Sequence, residues 1–111
     1  MSTTHVDNTL LERCLEHQHR AWEDFVDRFL GLVLHVIDHT ACKREIRLLT
    51  EDRNVLCARV FAALAHDQFR ILREFKAHSS LTTYLSVVVR RIVVRSLLNQ
   101  SPGSEPISFA R

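Results

Sequence analysis

Glycine and proline are scarce, with two of each, at Gly31, Gly103, Pro102 and Pro106. From Leu32 to Ser101 there is neither, and an all-β fold made of tight turns needs both at frequent intervals. Cysteine is sparse and odd in number: Cys14, Cys42 and Cys57 lack the CxxC spacing of a zinc ribbon or redox motif, which favours reduced, packed thiols over a disulfide framework. No run approaches the roughly 18 apolar residues of a membrane span. The opening MSTTHVDNTLLER lacks the apolar centre of a secretory signal, so a soluble, cytoplasmic protein with no membrane partner is expected. Gly-rich phosphate loops, nucleophile-elbow serines and HExxH motifs are also missing, and no enzyme activity or cofactor is expected.

What remains has ordinary globular composition, 46% hydrophobic and 25% charged, and its 111 residues suit one domain. The net charge of +2 hides an asymmetry. From Met1 to Arg59 eight Lys/Arg face ten Asp/Glu; from Val60 onward seven face three. The basic half is C-terminal, which is where an electrostatic footprint for nucleic acid is to be sought.

Periodicity divides the chain into about four helices. Thr9 and Glu12 have capping-box spacing, predicting a first helix from Thr9 to about Glu16 and a flexible segment over 1–8. Beyond a turn at His17, Gln18 and His19, the residues Trp22, Phe25, Val26, Phe29, Val33, Val36 and Ile37 recur at three and four, one stripe of a long helix. Thr50, followed by Glu51 and Asp52, reads as the N-cap of a third helix with Leu56, Val60, Phe61 and Leu64 inward and a bend at His66-Asp67. The run VVVRRIVVRSLL is rich in strand formers, yet Leu81, Tyr84, Leu85, Val88 and Ile92 keep helical spacing, and a strand would bury Arg90 or Arg91. The expected division is therefore a flexible 1–8, an all-α domain over 9–99, and a linker or tail over 100–111.

The ordered set of features resembles the second conserved region of bacterial sigma factors, in particular the extracytoplasmic-function branch. Its most specific piece is REFKAHSSLTTYLSVVVRR, Arg73 to Arg91, preceded by AWEDFVDRFLGLVLHVI and LCARVFAAL. The resemblance implies a transcription-initiation domain that binds the RNA polymerase core and recognises and melts the promoter minus-ten element. It assigns DNA contact to Lys76, His78, Ser79, Ser80, Tyr84, Arg90, Arg91 and Arg95. It assigns contact with the clamp helices of the polymerase's largest subunit to Val55, Leu56, Ala58 and Arg59, and an anti-sigma factor becomes a further candidate partner.

Family members carry Asp, Leu and Gln-Glu before the Val-Phe of the third helix. Here the acid is replaced by Val55, the glutamine by Ala58 and the glutamate by Arg59. A charge reversal at a polymerase contact opposes binding, which keeps open an alternative: a stand-alone sigma-like interaction module that binds a regulator. His35, His39 and Cys42 share a helix face with zinc-type ligands, but no fourth ligand is evident in the sequence and no metal is assigned.

Overall fold

The computed structural model describes residues 3–76, 78–98 and 109–110, and the architecture is all-α. Four helices, α1 (Thr3–Leu15), α2 (Ala21–Lys43), α3 (Thr50–Arg73) and α4 (Leu81–Leu98), pack around one core. Two-residue strands β1 (Arg47–Leu48) and β2 (Phe109–Ala110) pair antiparallel. No helix of the described chain is long and apolar enough to cross a membrane.

Helix α2 is the organiser and touches the other three helices. Its stripe is buried as its spacing requires, with Phe25, Phe29, Val33, Val36 and Ile37 inside and Trp22 and Val26 half-buried at the margin. Trp22 stacks on Phe25 at 5.4 Å between ring centroids and meets Phe61 edge-on at 6.0 Å.

With so few glycines, other residues close the helices. His17 (φ 56°) ends α1 and Glu45 (φ 57°) ends α2, each in the left-handed conformation that usually selects glycine. The paired bonds of a Schellman cap accompany both. Gln18 N–H donates to the Arg13 carbonyl and His17 N–H to that of Cys14; Ile46 N–H donates to Ala41 and Glu45 N–H to Cys42. The bend in α3 has the same chemistry repeated. His66 turns extended (ψ 144°), and Asp67, Gln68 and Phe69 follow with φ of 54°, 54° and 62°. Such residues are strained by roughly 1 to 2 kcal/mol each. The turn swings Phe69 onto Trp22 (5.3 Å) and His17 (5.6 Å), and that aromatic contact offsets part of the strain.

Helix α1 begins at Thr3, not Thr9. Six residues expected to be flexible therefore belong to it, and Thr9 is mid-helix. The physical reason is Asp7, 2% exposed, which accepts from Arg28 Nε of α2 at 2.8 Å and, at the longer 3.5 Å, from the Thr82 hydroxyl of α4. One carboxylate thus ties three helices, and the pairing spans a sequence distance that no local motif reports.

Helix α3 likewise starts with Thr50 inside it. Leu49 is the cap residue, and Asp52 accepts its N–H at 3.2 Å. In α4 the cap is Ser80, whose Oγ accepts the Thr83 N–H at 3.1 Å. The buried line of α4 is Leu81, Leu85, Val89, Val93 and Leu97, so Tyr84, Val88 and Ile92 flank the core instead of centring it. Most of the proposed tail lies outside the described residues; Phe109 and Ala110 pair with Leu48 and Arg47.

Candidate nucleic-acid interface

The long cationic side chains of α4 meet those at the C-terminal end of α2. Packing α4 across α2 forms a groove of about 860 Å³ lined by His39, Thr40 and Lys43 from α2, by its C-cap residue Arg44, and by Arg90, Arg91, Val94, Arg95 and Leu98 from α4. All five Lys/Arg side chains are exposed, and none pairs with a carboxylate among the described residues. By contrast the cations elsewhere on α1 to α3 are often neutralised. Arg13 pairs with Asp24 at 3.0 Å, Arg28 with Asp7, and Arg53 grips Asp38 through two bonds of 2.9 Å. Five cations without a paired carboxylate among the described residues thus gather around one groove, while others without one, such as Arg20, Arg47 and Arg73, are placed elsewhere.

Arg90, Arg91 and Arg95 were assigned to DNA from the sequence and come together here. Lys43 and Arg44 were not assigned. In the sequence they sit in the acidic half; only the α2–α4 crossing unites them with the arginines.

The remaining expected DNA residues occupy the opposite end of α4. Lys76, His78 and Ser79 are exposed in the connection between α3 and α4, and Ser80 is half-buried as the cap. From Ser80 to Arg91 the helical rise separates the two clusters by about 16 Å. Tyr84 lies between them in a structural seam: its ring tilts against Phe75 at 5.2 Å, and its hydroxyl donates to the Ile71 carbonyl at 2.7 Å. Burial, with the Glu74 carboxylate adding to it, raises the phenol pKa above its ordinary value, so the hydroxyl keeps the proton it donates. Tyr84 can offer a ring edge to a ligand, while its polar end is committed to the fold.

Of the four expected polymerase contacts, Val55, Ala58 and Arg59 are exposed on the outer side of α3. Leu56 is fully buried and belongs to the core, so it is removed from the contact set. Arg59 lines a second groove of about 530 Å³ with Ala62, Ala63 and Ile71 of α3 and Ile92 and Arg95 of α4.

His35 and His39 stack with centroids 6.1 Å apart, yet among the described residues no three His, Cys, Asp or Glu side chains gather as a metal site would require. Cys14 is buried, donates to the Ala21 carbonyl, and has its pKa pushed up to about 11, chiefly by burial, which keeps the thiol protonated and unreactive at neutral pH.

Thr40 is unusual in this groove. It is 5% exposed, and its hydroxyl has no hydrogen-bond partner among the described residues. Thr40→Val keeps the branched shape and removes the unpaired hydroxyl, so the variant is expected to gain about 1 kcal/mol of stability. A urea midpoint equal to or below that of the parent would show that the hydroxyl is satisfied in solution.

No protein-family model matches the sequence, and neither a curated protein nor a solved structure matches it.

Proposed function

We propose that the chain is a sigma-factor-like domain that binds the RNA polymerase core and recognises and melts the minus-ten element of promoter DNA. The observation that carries this reading is the gathering at one end of α4 of cations that pair with no carboxylate among the described residues, with Lys76, His78 and Ser79 exposed at the other end. A single strand along α4 has phosphates held at Arg90, Arg91 and Arg95, while small polar groups near the cap of α4 receive an unstacked base. Holding phosphates positions the strand, and the loop supplies discrimination. The outer side of α3, with Val55, Ala58 and Arg59, is the surface offered to the clamp helices of the polymerase.

Fluorescence anisotropy with a single-stranded minus-ten oligonucleotide tests the reading. Arg90→Ala with Arg91→Ala is expected to weaken specific and scrambled strands alike, by about tenfold per lost phosphate contact. The slope of log affinity against log salt should flatten by about 1.4, two phosphates' worth for a single strand. An unchanged slope, or no preference of the parent protein for minus-ten over scrambled DNA, refutes the assignment.

A second reading, a helical module that binds a regulatory protein such as an anti-sigma factor in place of polymerase, is favoured by Val55, which is 43% exposed beside Ala58 and Ala62 on one face of α3. Pull-down against polymerase core separates the two. Retention of core by the parent chain and its loss on Val55→Asp support the first reading only if Val55→Asp leaves the melting curve unchanged.

A further inference from the structure

Five cations around one groove are more than a single strand passing along α4 can use, because the strand would meet them a few at a time. The exposed positions of α4 nearer its N-terminus, Thr82, Thr83 and Val87, are neutral, so the charge does not form a track along the helix. It forms a cluster. Like charges held together without counter-charges repel one another, and a compact anion removes that repulsion in a single step. The groove volume of about 860 Å³ lies in the range of small-molecule sites, and it contains apolar surface from Val94 and the well-exposed Leu98. Thr40, buried and without a hydrogen-bond partner among the described residues, belongs to the lining of the same groove. Unsatisfied buried hydroxyls are uncommon, and a phosphate oxygen is a suitable acceptor once the long side chains at the mouth move toward an anion.

We propose that the groove between the end of α2 and the C-terminal half of α4 binds a compact, multiply phosphorylated small molecule through Lys43, Arg44, Arg90, Arg91 and Arg95. The non-phosphate part of the ligand rests on Val94 and Leu98. The site shares arginines with the promoter-binding surface but does not depend on it, since Lys43 and Arg44 of α2 are outside that assignment.

The test is isothermal titration of the full chain with inorganic tripolyphosphate at about 150 mM salt, where exposed charges more than roughly 8 Å apart are largely screened. A short thymidine oligonucleotide with hydroxyls at both ends serves as the phosphodiester competitor. One saturable tripolyphosphate per chain is expected. Lys43→Ala with Arg44→Ala should weaken it by roughly tenfold or more, as the loss of charge-assisted hydrogen bonds predicts. Both side chains are exposed, so the variant should keep the parent's circular dichroism, and Thr40→Val provides an independent substitution that should also weaken binding. The proposal is overturned by absence of saturable binding, by equal affinity in the Lys43/Arg44 variant, or by the oligonucleotide displacing tripolyphosphate at equal phosphate concentration. The last result would make the groove a track for nucleic-acid backbone.

Discussion

Replacing Phe29 by alanine is expected to lower stability by about 3 to 5 kcal/mol, the range for truncating a fully packed phenylalanine. Phe29 is 3% exposed at the middle of α2, and its ring lies 4.8 Å from that of Phe25, which continues through Trp22 to Phe61 and Phe69. The cavity left by the ring cannot collapse cheaply, because α2 is held by three other helices and by the Asp7–Arg28 pair. A domain of this size has roughly 5 to 15 kcal/mol in total, so the substitution removes a large share of it. Denaturant melts check the value. A loss below about 1 kcal/mol would mean that the stripe on α2 is not the centre of the core.

Leu56→Ala is expected to destabilise by about 2 to 5 kcal/mol, whereas Val55→Ala, one position away, should stay within about 0.5 kcal/mol. The contrast follows from burial, since Leu56 is fully enclosed and Val55, a quarter-turn round α3, is 43% exposed. The pair also separates two roles that the sequence resemblance placed on one surface. If α3 docks on polymerase, Val55→Ala should weaken that docking without moving the melting curve, and Leu56→Ala should weaken it only in proportion to the unfolded fraction. Equal melting curves for the two variants would show that the inward face of α3 has been misplaced.

Local patterns in the sequence were informative where one element decides the outcome. The apolar stripe of α2 and the bend at His66 both depend on neighbours within a turn or two of the chain, and both are present. The start of α1 was misread because Thr9 and Glu12 satisfy capping-box spacing just as well from inside a helix; what extends α1 is the contact of Asp7 with Arg28 and Thr82. Leu81 and Leu85 of the expected α4 stripe are buried, but beyond them the line runs through Val89 and Val93 in place of Val88 and Ile92, because the apolar run fits either of two adjacent stripes and only the helices packed against it choose. Helix ends were hidden for another reason. A reader looking for glycine finds none, since His17 and Glu45 take the left-handed cap positions. The basic groove needed two segments about fifty residues apart in sequence to meet, and neither segment contains a motif for the meeting.

Eight of the eighteen residues of α4 are β-branched, so its helical form is maintained by its seat on α2 and α3 and not by its own preference. Until that seat is occupied, the segment is the part of the chain most inclined to pair edge to edge with another copy. Val87, Val88 and Val89, then Ile92, Val93 and Val94, form two short sticky blocks, and Arg90 and Arg91 stand between them as the charges that interrupt such blocks. The same two arginines that line the groove of the folded protein are therefore placed to interrupt such pairing in the unfolded chain. Solubility alone is a reason for charges at these two positions, whatever the groove binds.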